Sequence, residues 1–218
     1  MITIYLTGVL LLVVGLYFLF CFFTNALAAF LHVNEPVHDA DVLIVEGWLS
    51  QRFAESVKEE FQKGTYKYIL ISGFADEIYS RYDGKEITKS DTSPDAPLAS
   101  IRLQMGIDST RIKIVEISNS VKIHRTFAMA QAAGKWLQNN DPSVRSVNIC
   151  TSWNHGRKTW CAYRKILGDT FNVGILTFPK ETLPVHKWWT TRGGFRWQVW
   201  ALANYLYAVL WPVSLIPD

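Results

Sequence analysis

No charged side chain occurs between Ile2 and Leu31, and none occurs between Trp197 and Ile216. Elsewhere the excess of basic over acidic residues gives a net charge of only +3 and no Lys/Arg tract forms, which excludes the usual electrostatic footprint of a nucleic-acid binder. Cysteine is scarce. Of the three, Cys21 falls in the first apolar run, while Cys150 and Cys161 have no metal-type spacing. That excludes a disulfide framework and a thiolate metal site, and leaves the expectation that they are small buried hydrophobes. G-x-S-x-G, P-loop and G-x-G-x-x-G motifs are all missing, no Ser/His/Asp set can be assembled, and no metal or cofactor is indicated.

What is present begins with the uncharged run from residue 2 to 31. About 20 apolar residues cross a bilayer, so this segment is expected to be a membrane span. A cleaved signal peptide is the rival, through Ala26-Leu27-Ala28, but a basic n-region is lacking and the run exceeds a signal h-region. After the run, Glu35, Asp39, Asp41 and Glu46 precede the first basic residue, Arg52. A flank poor in Lys and Arg is expected on the translocated side, placing the domain outside the cytoplasm on a single-pass inner-membrane anchor.

Beyond a polar linker, residues 32–40, apolar runs alternate with amphipathic segments. Strands are expected at Val42 to Val45, Tyr68 to Ile71, Ile112 to Ile117, Val147 to Cys150 and Val173 to Leu176. Helices are expected at Arg52 to Lys63, Ala96 to Met105, Val121 to Leu137 and His155 to Leu167, with Gly64, Gly106 and Gly168 as left-handed residues past three of their ends. The alternation predicts an α/β fold, Rossmann-like and doubly wound around a mainly parallel five-stranded sheet, over residues 41–180. Between Gly73 and Ala96 a long polar segment reads either as a lid or as plain surface. Residues 181–218 hold five tryptophans from Trp188 to Trp211. Length alone allows a second span there, whereas Gln198, Asn204 and Pro212 favour a helix covering the sheet, with Trp and Tyr reaching the membrane interface.

In an open α/β sheet, ligands bind beyond the carboxyl ends of the strands. That rule selects Glu46, Gly47 and Trp48 after the first strand, Ser72 and Gly73 after the second, Ser118 and Asn119 after the third, and Thr151, Ser152, Asn154 and His155 after the fourth. With Asn154 as N-cap, His155, Arg157 and Lys158 fall in a first helical turn, where cations are unfavourable unless a negative ligand compensates. An anion-binding edge for a phosphate or carboxylate is therefore expected there; the bland alternative is a solvated turn. Lys122, His124 and Arg125 form a second basic cluster near the same strand ends. Glu46, the sole acidic residue at a predicted strand end, is a candidate general base or metal ligand and, with His155, the candidate for catalysis; an ion-pair role with Arg157 is as natural.

The segments DVLIVEGWL, YILISG, IHRTFAMAQAAGKWL and TSWNHGRKTW followed by AYRKILG, in that order and spacing over about residues 41–176, resemble the YdcF/SanA/ElyC-like family of bacterial proteins. The tail KWWTTRGGFR resembles its membrane-anchored members. The resemblance implies a Rossmann-like domain, often on an N-terminal anchor, linked in some members to envelope integrity and surface-polysaccharide or peptidoglycan metabolism. It carries the family's site glycine onto Gly47, its Ser-Gly onto Ser72 and Gly73, and its histidine onto His155. The arginine usual three residues later is Lys158, with Arg157 beside it; the usual Gly-Gly is Gly73-Phe74. The usual Thr-x-Glu-Asn is absent, and Arg125-Thr126 stands near its place. Two other readings remain: a non-catalytic envelope interaction module, and a cytoplasmic transferase using a nucleotide or S-adenosylmethionine.

Overall fold

Apolar residues at consecutive positions of a strand can be buried only if both faces of the sheet are covered, and the computed structural model shows this arrangement. It describes residues 2–49, 53–74, 106–178, 187–212 and 214. The five strands are β1 (Val42–Glu46), β2 (Tyr68–Phe74), β3 (Ile112–Ile117), β4 (Ser146–Ser152) and β5 (Asn172–Phe178). They pair in parallel in the order β3-β2-β1-β4-β5. Alternate residues serve two cores. Val42, Ile44, Leu70, Val147, Ile149 and Ile175 face one; Leu43, Val45, Ile69, Ile71 and Leu176 face the other.

Among the described residues there are five α-helices: α1 (Ile2–Leu31), α2 (Ala54–Lys63), α3 (Arg125–Asn140), α4 (Gly156–Leu167) and α5 (Arg192–Leu210). α3 and α4 supply Met129, Ala133, Leu137, Tyr163 and Leu167 to the first core, and α2 supplies Val57 and Phe61 to the second. The chain thus winds outward from β1 to β3 and then returns to the other side of β1, so the switch in direction lies between β1 and β4.

Several boundaries differ from expectation. β2 and β4 run on through Phe74 and Ser152 because these residues keep parallel partners, Phe74 with Ile117 and Ser152 with Phe178. α3 starts at Arg125, since His124 before it takes a left-handed conformation. Gly64 and Gly168 are not left-handed: Gly64 is extended, with the Tyr66 ring where a side chain would stand, and Gly168 is right-handed. Gly106 has the expected positive φ of 59°, but the predicted helix ahead of it lies outside the described residues, as does most of the polar segment after Gly73. Only Cys150 is fully buried; Cys21 and Cys161 are partly accessible.

α1 is 30 residues long and apolar enough to cross a membrane. Its last turns are part of the fold. Thr24, Ala28 and Leu31, spaced along one face, are buried, and the chain leaving them forms a strap on the edge of β5. Glu35 N–H donates to Ile175 O and Ile175 N–H donates back to Glu35 O, both at 2.9 Å. Asn148 closes the strap: its Oδ1 accepts from Val37 N at 2.8 Å, and its Nδ2 donates to Val37 O at 3.0 Å and to Tyr66 Oη at 2.8 Å. The tail helix α5 does not lie on the sheet; it packs on α4, one layer further out.

Candidate functional site

The carboxyl ends of β1 and β4, flanking the switch, bring together a set of polar groups that a core would not otherwise hold. Glu46, the last residue of β1, is fully buried. Its carboxylate accepts from Thr151 Oγ1 of β4 at 2.5 Å, while Thr159 Oγ1 of α4 lies 3.3 and 3.4 Å from its two oxygens. Thr159 and Tyr163 occupy successive turns of the α4 face turned to the sheet, and both are fully buried. Burial, with Glu46 adding to it, pushes the Tyr163 phenol well above its ordinary pKa, so the hydroxyl keeps its proton. Ser72, at the end of β2, is buried too and donates to Met129 O at 3.0 Å, fixing α3 against the sheet.

Between β4 and α4 the chain makes a single 3-10 turn, Trp153–His155. This corrects the expected N-cap: His155, not Asn154, precedes α4, and Asn154 instead accepts a hydrogen bond from Ser152 Oγ at 2.9 Å. The His155 ring sits between Trp48, 4.5 Å away, and Trp200 of α5, 5.3 Å away. Burial, and secondarily the charge of Lys158, lower its pKa to about 3, so at neutral pH the imidazole is uncharged and keeps one donor and one acceptor. Burial also lowers Lys158, while Glu46 acts to raise it. A carboxylate, an ammonium, a neutral imidazole and the hydroxyls of Thr151, Thr159 and Tyr163 therefore gather at the switch-point end of the sheet. Burying charge costs free energy unless it is compensated, and such groups concentrate where binding or proton transfer occurs.

Other expected site residues have different surroundings. Gly47 N–H donates to Ser72 O at 2.8 Å, closing the β1 end, and Gly73 is an interior β2 residue paired with Glu116. Ser118 and Asn119 are exposed beyond β3, on the outer edge of the sheet, and Ser118 bonds to Ser120. Arg125 lays its guanidinium 3.8 Å from the Phe74 ring. His124 stacks on Tyr207 and hydrogen-bonds it, with the Trp211 ring tilted against it 4.3 Å away, and Lys122 is exposed.

Arg157 is not gathered with His155 and Lys158. Its Nε donates to Phe30 O of α1 at 2.7 Å, and its guanidinium lies 4.3 Å from the Phe30 ring. Phe30 O is among the last carbonyls of α1, which lack intrahelical donors and carry the negative end of the helix dipole, so a cation there is favourable. Lys165 does the same for α5, donating to Val209 O at 2.5 Å and Trp211 O at 3.1 Å. Two of the four cations of α4 thus close the ends of neighbouring helices. Gly156 permits the first of these approaches, because a side chain there would meet Thr177 and, at 3.2 Å, the carbonyl of Val33.

Thr159 and Tyr163 are the site residues that the strand-end rule missed. They follow His155 at four-residue intervals, which places them on one helix face, and a hydroxyl at each of two inward positions was the available signal. Comparison with family models, with curated proteins and with solved structures finds no match for this chain.

Proposed function

We propose that this is a membrane-anchored protein whose α/β domain binds an anionic metabolite, phosphorylated or lipid-linked, at the crevice between β1 and β4. The observation that carries the reading is the fully buried Glu46 carboxylate at the sheet's switch point, hydrogen-bonded by Thr151 and Thr159, with an uncharged His155 and Lys158 at the start of the adjoining α4. Lys158 supplies the positive charge for the anion. His155 donates or accepts one hydrogen bond without adding charge, and Glu46 is the candidate base. The sequence resemblance to the YdcF/SanA/ElyC-like family supports the same reading and an envelope role. Arg157, engaged with α1, drops out of the anion contact first expected of it.

Calorimetric titration of the full chain in mild detergent tests this, with inorganic phosphate, a short isoprenyl phosphate and a nucleotide sugar as probes. Lys158→Met should weaken the bound probe by about 1.5 to 3 kcal/mol, the value of a charge-assisted contact, which is roughly ten- to hundredfold. Equal affinity in wild type and variant would remove the site. Binding by none of the three probes would favour an interaction module.

The domain is proposed to lie outside the cytoplasm, because insertion reads the linear flank and that flank lacks Lys and Arg until Arg52. A reporter active only in the cytoplasm, fused after Asp218, should therefore be silent. An active one would reverse the orientation and bring a cytoplasmic ligand, including a nucleotide, to the fore.

A further inference from the structure

A soluble helix buries its large apolar residues and shows polar ones to water; α5 does the opposite. The residues it buries are Gly194, Gln198, Ala201 and Ala208, while Phe195, Trp200, Val199, Leu206, Val209 and Leu210 are exposed. It contains no acidic residue, and Arg192 and Arg196 are exposed in its first turns, with Lys187 just before it. Among the described residues none of these three cations pairs with a carboxylate.

The placement of α5 against α1 says what covers this face. Just before α5, the Trp189 ring stands 5.7 Å from Phe20 of α1, and Trp188 Nε1 donates to Thr24 O at 3.1 Å. Further along, Tyr205 meets Phe30 at 5.2 Å. From Phe20 to Phe30 α1 rises about 15 Å, whereas α5 from Thr191 to Tyr205 is about 21 Å long. A helix that climbs less than its own length is inclined to α1 and does not run alongside it through a membrane crossed by α1. The first part of α1 fits the same boundary. Side chains from Tyr5 to Phe23 are exposed on nearly every face, and burial against the fold begins at Thr24. Tyr5 to Thr24 spans about 30 Å, the thickness of a bilayer's hydrocarbon core.

We propose that the hydrocarbon boundary lies at the level of Thr24, and that α5 is an interfacial helix seating the domain on an anionic lipid surface. Phe195, Trp197, Trp200 and the aliphatic residues of α5 enter the interface. Trp188 and Trp189 mark its depth, as amphipathic rings do at the headgroup level, and Lys187, Arg192 and Arg196 meet lipid phosphates. The crevice is thereby held close to the membrane, since His155 touches Trp200 of the same helix.

The proposal rests on α1 lying in the bilayer, so both are tested on the full chain. In nanodiscs, lipids brominated near the headgroup should quench tryptophan emission at least twofold more than lipids brominated near the chain ends. The combined W189F, W197F and W200F variant should lose most of that quenching, because the remaining six of nine tryptophans, Trp188 included, are buried or half-buried and so shielded from lipid. Quenching should be stronger in phosphatidylglycerol than in phosphatidylcholine, and K187Q, R192Q and R196Q together should abolish the difference. Stronger quenching from the chain ends would mean that α5 is a second span, and equal quenching in the two lipids would remove the anionic preference; either overturns the proposal. Release of the whole chain by alkaline extraction would instead sink the anchor itself, whereas a chain that resists extraction yet shows no quenching sinks only the interfacial helix.

Discussion

Gly174→Val should destabilise the protein by about 3 kcal/mol, and the loss should appear first in the strap that joins α1 to the sheet. Any Cβ at this β5 position would overlap Asn148 Oδ1 and the backbone nitrogen of Val37, and would stand 3.0 Å from the carbonyl carbon of Pro36. Backbone on the far side cannot rotate away as a side-chain tip would, so the strap must lift. Lifting breaks the two Glu35–Ile175 bonds and the two bonds between Asn148 and Val37. At about 1 kcal/mol net for each, less what water recovers at the sheet edge, the loss comes to roughly 3 kcal/mol. In a domain of this size that lowers the melting temperature by roughly 6 to 12 °C. Thermal melting in detergent, with limited proteolysis across residues 33–41, checks it; an unchanged melting temperature with a protected linker would show that the strap tolerates displacement.

Acidification from pH 7 to 5 should cost up to about 4 kcal/mol through two buried histidines. His155 has a folded pKa of about 3 and His32 of about 4, both lowered chiefly by burial from an ordinary value of 6.5. Between those values the unfolded chain binds protons that the folded chain refuses. Their contribution is therefore complete above pH 6.5 and is lost as pH falls towards 4, at up to about 1.4 kcal/mol per unit for each fully deprotonated histidine. Asp41, Asp108 and Asp141 have lowered folded pKa values and withdraw their stabilisation only at lower pH, below the ordinary aspartate range. Melting curves from pH 7.5 to 4.5 should thus fall through the histidine window, and His155→Gln should flatten the slope by about half. A flat wild-type profile down to pH 5 would show that both rings gain protons without opening the structure.

The two histidines show what the sequence could and could not reveal. His155 was legible as a residue at a strand's carboxyl end, because the SVNIC run stops at a polar segment and the sheet rule does the rest. Its charge state was not, since that depends on Trp48 from one strand end and Trp200 from the tail, which meet only after folding. The strands were legible for the same reason: a run such as Val42 to Val45 has no polar residue to offer water. Strand order was not, as nothing local in β4 says that it pairs with β1 rather than β3. Arg157 was read as an anion contact because a cation in a first helical turn lacks a local reason. The reason is α1, whose terminal carbonyl it binds at a separation of 127 residues.

The strap also sets an order on how this protein comes to exist. Thr177 Oγ1 bonds to Val33 O across 144 positions, so the segment just after the first helix finds its partner only when the last strand has been made. At a synthesis rate of roughly 5 to 20 residues per second, that interval is roughly 7 to 30 seconds. For its duration Ala28, Leu31 and Val33, which end up enclosed, lack the β5 edge against which the strap is held. Lipid, a chaperone or the insertion machinery must shield them until β5 emerges, so slowing translation between β1 and β5 should prolong the period in which the newborn protein is vulnerable to proteases.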